Sequence, residues 1–369
     1  MNLRFAHEFE LLAANYMVWE HPLSVLGQRQ GAFMLKPAPL SYFEYIIRDA
    51  ESYRAVLSEA NHVIYQLEPG CLRGRHVRFG LPGGQFSYVE TNIALRGGGT
   101  FPNRWTLSIM LASTTQSLQH GIEVGAGSLV IHRPYADHDG VYGRNSKFAC
   151  FTVEDEVMTN WLPKLHPRIQ DAMRRPCSVF EPSAAARQRT IEYFSEAAAI
   201  IQLEPKIRNS FNAVTKLEEE LVCHFLEVIE EPLAAPSVEA EQRASVMMRQ
   251  IDRYVQNSPR LSPSVADLCS LCDVPRRTLN RAFHDALGMG PATYLRRVRL
   301  NGVHGALRQK SDGPITVTDV ALEFGFWHLG RFAEQYKEMF GESPHETLRC
   351  AGEGIETASV RRLAAQDSN

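Results

Sequence analysis

The chain has 369 residues and a mass of 41.5 kDa, a length that predicts two or three domains. Apolar residues make up 44% and charged residues 22%, a globular balance that excludes a disordered, collagenous or coiled-coil chain, and no apolar run approaches the ~18 residues of a membrane span. The net charge of −3 hides an asymmetry: residues 1–240 hold 22 Lys and Arg against 27 Asp and Glu, residues 241–350 hold 15 against 12, and residues 274–310 hold eight basic residues against one acid, Asp285. A basic stretch in an acidic protein is either a polyanion contact or a solvated helix face. The seven Cys are odd in number and scattered, which argues against a disulfide framework. Charges interrupt the first ten residues and no apolar stretch follows. No secretory signal is therefore expected, and the expected setting is a reducing cytoplasm with no membrane partner.

The first third reads as β. Residues 42–48, 76–79, 85–95, 105–112, 127–132 and 147–153 are short, partly alternating and rich in Val, Ile, Phe and Tyr. Pro69-Gly70, Pro82-Gly83-Gly84 and Gly97-Gly98-Gly99 look like turns between them, which suggests a barrel or sandwich. At least one short helix is expected within 49–67. Tyr88, Glu90, Arg96, Asn103 and Trp105 have the chemistry to line an effector pocket, although cross-strand surface pairs explain them nearly as well. His132 and His138, near Tyr135, Asp137 and Asp139, carry no His-x-His pair with a downstream Glu. They read as a polar turn with satisfied histidines, and no metal is expected.

Beyond about Asp155 the texture is helical. Ile207, Phe211, Val214, Leu217, Leu221, Phe225 and Val228 recur every three or four residues, predicting one helix over 206–231 with Pro205 near its start and Pro232 as its stop. Its apolar stripe suits either packing on its own domain or a homodimer seam. Residues 232–241, with two prolines, small residues and no periodicity, read as a linker.

The C-terminal third contains an internal repeat about 52–53 residues apart. Ser264-Val-Ala-Asp267-Leu268 answers Thr316-Val-Thr-Asp319-Val320, each a capping signal before an apolar run. Leu279, Phe283, Leu287-Gly288 and Pro291 answer Phe332, Tyr336, Phe340-Gly341 and Pro344. Each unit reads as a short helix (265–272, 317–324), a tight turn, a second helix, a Gly stop and a Pro-led segment. The second helices turn polar faces outward: Arg276, Arg277, Thr278, Asn280, Arg281 and His284 in one, and Trp327, His328, Arg331, Gln335 and Lys337 in the other. Arg suits bidentate bonding to guanine, and Gln or Asn suits adenine, when such a helix enters the major groove of double-stranded DNA. A joining helix over 292–309 carries Arg296, Arg297, Arg299 and Arg308, read as phosphate contacts.

Residues from about Met247 to Arg349 resemble the DNA-binding domain of the AraC/XylS family of bacterial transcription regulators. The resemblance rests on ALEFGFWHLGRFAEQYKEMFGESP over 321–344 and RRTLNRAFHDALG over 276–288. The stretch Gly325–Gly330 with Arg299-Leu-Asn301 is similar to the subgroup containing the ethanolamine-operon regulator, and residues 67–74, Ala94-Leu-Arg96 and Pro102-Asn103-Arg-Trp105 more weakly so. One departure is Pro275, where the family has Ser opening the first recognition helix. Pro offers no side-chain oxygen for an N-cap, but it suits the start of a helix. The resemblance implies a promoter-binding regulator acting through RNA polymerase as an activator. The expected fold is α+β in two domains: a cupin-like β-barrel with trailing helices over 1–235 for effector binding and dimerisation, and an all-helical tandem helix-turn-helix domain over 241–350. Residues 351–369 are expected as a flexible tail.

Other chemistry has little support. Cys269-x-x-Cys272 lacks a second pair or a His pair, and Cys269 answers Ala321 in the repeat, so it reads as a small core residue. Cys177, within Arg175-Pro-Cys-Ser178, does not sit in the context of the methyl-accepting cysteine of DNA-repair regulators. Phosphate loops, nucleophile elbows and His-Glu-x-x-His motifs are absent. No enzyme and no cofactor are expected. The alternatives left open are a catalytic barrel with secondary DNA binding, and an architectural DNA-binding protein without an effector.

Overall fold

The structure, a computed structural model, describes residues 41–57, 61–100, 104–161, 163, 167–175, 177–230, 239–257, 263–309, 315–350 and 357–362. The first part runs β1 (Ser41–Ile47), α1 (Ala50–Val56), β2 (Asn61–Gln66), β3 (Gly74–Leu81), β4 (Gly84–Thr91), β5 (Leu95–Thr100), β6 (Arg104–Ala112), β7 (Leu118–Gln119), β8 (Ile122–Glu123), β9 (Leu129–His132), β10 (Asp137–Tyr142) and β11 (Ser146–Glu154). There follow α2 (Asp155–Trp161), α3 (Pro167–Ala172), β12 (Cys177–Phe180), α4 (Ala184–Leu203), α5 (Pro205–Arg208) and α6 (Phe211–Glu230). The helical part is α7 (Glu239–Asn257), α8 (Val265–Cys272), α9 (Arg276–Leu287), α10 (Pro291–Arg308), α11 (Val317–Glu323), α12 (Leu329–Phe340) and α13 (Pro344–Arg349), and β13 (Thr357–Arg362) closes the order.

The strands form two antiparallel sheets, ordered β12-β9-β6-β11-β4-β3-β1-β13 and β2-β5-β10-β7-β8. Among the described residues they do not close into the expected barrel; the two sheets face each other across a cavity. Strand alternation assigns every side chain to one of two faces. On the eight-stranded sheet, Gln85, Ser87 and Val89 of β4, Thr106 and Ser108 of β6, and Phe148 and Cys150 of β11 turn to the cavity. Phe86, Leu107, Phe151 and Val153 take the opposite parity and are buried. On the five-stranded sheet, His62 and Ile64 of β2 and His138 and Tyr142 of β10 turn to the cavity. The other face of that sheet meets the helical part.

Several expectations change. Gly97-Gly98-Gly99 lies inside β5, paired with both β2 and β10, and is not a turn. His62 and His138 both sit opposite Gly99. With no side chain between them, their rings approach to 5.0 Å between centroids. The helix expected over 206–231 is two: α5 ends at Arg208 with Asn209 as its C-cap, and the Ser210 hydroxyl accepts the Ala213 N–H at 3.4 Å at the start of α6. Val214, Leu217, Leu221, Phe225 and Val228 are buried within the single chain, so this stripe is not an open dimer seam. Residues 231–238, most of the expected linker, lie outside the described residues, and α7 already begins at Glu239. The expected tail contains β13, which pairs with β1.

The helical part follows the repeat. Ser264 and Asp267 form a capping box on α8, and the Thr316 hydroxyl accepts the Asp319 N–H on α11. Asp273 (φ 50°) and Gly325 (φ 78°) take the same left-handed position in the two turns. Leu268, Leu279 and Phe283 share one apolar cluster with Met248, Ile251 and Tyr294. Val320, Phe332, Tyr336 and Phe340 share another with Leu300, Val303 and Leu307 of α10. Sheets and helices belong to one compact unit.

Candidate nucleic-acid interface and inter-sheet cavity

Each second helix of the repeat buries one stripe and exposes the opposite face. On α9, Leu279, Ala282 and Phe283 are buried. Arg276, Arg277, Thr278, Arg281 and His284 are exposed and Asn280 is half-buried. Pro275 precedes α9 without a side-chain cap bond. On α12, Phe332, Tyr336, Met339 and Phe340 are buried. Arg331 and Lys337 are exposed, and Gln335 is half-buried. Trp327 and His328 come just before α12, in the turn, and Trp327 is 75% exposed. An indole so open to water is unusual beside the buried Phe326 and Phe332, whose rings lie 4.9 Å apart. The 18-residue α10 is about 27 Å long and joins the two units.

The arginines of α10 are placed differently from the expectation. Arg297 donates to the Leu67 carbonyl, Arg299 lies 5.2 Å above the Phe326 ring, and Arg308 meets Asp49 at 3.4 Å and the Cys350 carbonyl at 3.2 Å. These three arginines are engaged by the protein itself, because α10 packs between the helix-turn-helix units and the loop after β2. Arg296 is half-buried.

That loop and the five-stranded sheet dock on the helical part through both apolar and polar contacts: Leu67, Ala94, Leu118 and Val141 join the cluster of Met248, Ile251 and Tyr294. Gln66 and Asn301 exchange hydrogen bonds, from Gln66 N to Asn301 Oδ1 at 2.9 Å and from Asn301 Nδ2 to the Gln66 carbonyl at 3.1 Å. Gln66 Nε2 and Gly70 N both donate to the Met339 carbonyl of α12. Gly341 (φ 76°) lets Cys71 approach, since a Cβ there would lie 2.2 Å from Cys71 Sγ. Arg96 is fully buried between Asp252 of α7 and Asp139 of β10.

The expected effector residues do not assemble. Tyr88, Glu90 and Trp105 lie on the strand faces turned away from the cavity. Tyr88 donates to Glu90 at 3.1 Å and the Trp105 indole donates to Asp155 at 2.7 Å. Arg96 faces the helices, and Asn103 lies outside the described residues. The cavity, about 160 Å³, exposes mostly apolar surface, into which His62, His76, His132, His138, Gln119, Gln85, several hydroxyls and, among its lining residues, Arg78 and Arg104 also bring polar groups. His132 and His138 are therefore not in a polar turn: they end β9 and sit in β10, and both are buried. Burial lowers His62 to about 4 and His76 to about 3, and holds His132 and His138 well below the ordinary histidine value, the neighbouring imidazoles adding to the effect. These rings are neutral at pH 7. Tyr142 Oη and His138 Nε2 are 3.0 Å apart. Reading residues 97–99 as strand would have revealed this row, because His138, Gly140 and Tyr142 alternate opposite Gly99, Gly97 and Leu95.

A family model described as a helix-turn-helix domain matches residues 268–349. The XylDLEGF operon transcriptional activator of Pseudomonas putida is 31% identical over 113 residues, covering 31% of this chain and 35% of that protein. The HTH-type transcriptional activator RhaS of Pectobacterium carotovorum subsp. carotovorum is 30% identical over 91 residues, covering 25% of this chain and 32% of that one. The C-terminal part of the chain is an AraC/XylS-type DNA-binding domain. The chain spans about a third of the length of these curated relatives, and the matched model lies wholly within the AraC/XylS-type domain. Among solved structures, the AraC-like transcriptional activator CuxR aligns over 70% of this chain and 93% of its own, with 12% identity and a TM-score of 0.40.

Proposed function

We propose that the chain is a sequence-specific DNA-binding regulator of transcription, with residues 241–350 gripping promoter DNA and residues 1–235 binding a small-molecule effector. The observation that carries this reading is the pair of matched helix-turn-helix units, each exposing an arginine-bearing second helix. Successive major-groove faces on one side of a duplex are about 34 Å apart, a spacing that α10 is long enough to serve. Base readout falls to α9 and to the turn and helix of Trp327–Lys337. By resemblance the outcome is activation through RNA polymerase. A homodimer would need a surface other than the buried stripe of α6.

The effector site is the inter-sheet cavity. Its size and mostly apolar lining suit a compact, partly aromatic or aliphatic molecule, and its neutral imidazoles offer both hydrogen-bond donors and acceptors. The cavity communicates with the DNA-binding domain through one sheet. His138 faces the cavity while the adjacent Asp139 bonds Ser245 of α7 at 2.7 Å and Arg96 at 2.9 Å. A ligand that moves β10 thus biases the docking of α7 and shifts the population of a DNA-competent arrangement.

Footprinting of genomic upstream fragments with and without candidate metabolites tests this reading. Protection of two adjacent major-groove segments, altered by a metabolite, supports it. An absence of retardation on any native upstream fragment at low salt rejects it.

A further inference from the structure

His120, His132 and Cys177 bring two imidazole nitrogens and a thiol sulfur to within 4.8 Å of one another. Three separate elements build this cluster. His132 ends β9 and Cys177 opens β12, directly opposite each other across the antiparallel ladder. His120 occupies the two-residue tip of the β7–β8 hairpin with Gly121, at φ of 52° and 79°. A turn with both central residues left-handed favours Asn or Asp before Gly. Histidine there carries a steric cost, and the turn brings its ring to 5.7 Å from that of His132. His120 Nε2 is buried with no hydrogen-bond partner among the described residues.

We propose that His120, His132 and Cys177 bind a divalent transition-metal ion, zinc being the best match. Two imidazoles and one thiolate are a borderline-soft donor set that favours zinc or cobalt over magnesium or calcium. Tetrahedral zinc needs such donors roughly 3.5 Å apart, which small side-chain rotations supply. Binding displaces the Cys177 thiol proton to solvent, leaving a thiolate on the metal. Coordination through His120 Nε2 places that ring's proton on Nδ1. Arg249, which now donates to both His120 Nδ1 and Ser245, then keeps Ser245 alone. Three protein donors leave a fourth position open. Because His132 also lines the cavity, that position belongs to a ligand or water entering from the cavity side.

The test is titration of the metal-stripped full-length protein with Co(II), followed by absorbance. The expected result is saturation at one equivalent with a sulfur-to-cobalt charge-transfer band, displaced by zinc. Cys177→Ser should abolish the band. His120→Asn, which keeps a residue suited to the left-handed turn, should weaken binding roughly tenfold or more. Cys223→Ser, on the exposed side of α6, should change nothing. The hairpin variant decides the matter if Cys177→Ser does not fold. No charge-transfer band at one equivalent, or a band that keeps its intensity in Cys177→Ser or its affinity in His120→Asn, overturns the proposal.

Discussion

Arg96 of β5 and Asp252 of α7 form a buried ion pair, 2.6 Å between Nη2 and Oδ2 with a second bond from Nε at 3.0 Å. Asp139 shares the guanidinium and the Tyr294 hydroxyl donates to Asp252. Burial pushes the Asp252 carboxyl up, against the pull of Arg96, while the two carboxylates hold the guanidinium firmly charged. Such a group is costly to leave half-made. Asp252→Ala is expected to destabilise the chain by about 3–5 kcal/mol, read from denaturant unfolding. A loss below about 1 kcal/mol, the scale of an exposed pair, would mean that water relaxes this junction.

Arg331 stands on the exposed face of α12, one turn before the half-buried Gln335. Arg331→Ala should cost about 1–3 kcal/mol on a cognate site and relax preference at one or two base positions. Equal weakening on cognate and random duplexes would remove Arg331 from base readout.

Arg297 and Arg276 should separate in salt-dependence measurements. Arg276 is exposed at the start of α9, whereas Arg297 is turned onto the Leu67 carbonyl. Arg276→Ala is expected to lower the slope of log K against log salt by about one. Arg297→Ala should leave the slope unchanged and lower the unfolding midpoint. A reduced slope in Arg297→Ala would show that its side chain leaves Leu67 for phosphate on DNA binding.

Glu218 of α6 accepts from Gly83 N at 2.8 Å. Burial raises its pKa to about 7, against that hydrogen bond, with Glu219 adding to the rise. A carboxyl whose folded pKa is raised holds its proton longer in the folded state, so its stabilisation is complete below about pH 4.5 and is lost as pH climbs through 7. Glu218→Gln keeps an acceptor for Gly83 and removes the titration. Its unfolding midpoint should match the parent at pH 4.5 and exceed it at pH 8, by up to about 3 kcal/mol in stability. Parallel pH profiles for parent and variant would contradict this.

Part of the candidate site was legible because its signals are local. Ser264 with Asp267, Thr316 with Asp319, Gly288 and Gly341 lie within a few residues of the backbone groups they serve, and each takes the expected conformation. The residues expected to line an effector pocket miss the inter-sheet cavity for a reason of parity. Tyr88 and Trp105 are in strands as expected, but a strand gives neighbouring residues opposite faces, and theirs are turned from the cavity. Leu67, Gly70 and Arg96, quoted for their resemblance to one regulator subgroup, make contacts to α10, α12 and α7 across the junction.

The order of residues alone determined the two helix-turn-helix units, their caps, their stops and their arginine faces, since helical periodicity and capping act over a single turn of chain. Only the tertiary structure decided which histidines share a cavity, which arginines of α10 are engaged within the protein, and that Arg96 joins sheet to helix. Those outcomes depend on which distant strands pair and in what register, and a shift of one residue would reverse every face.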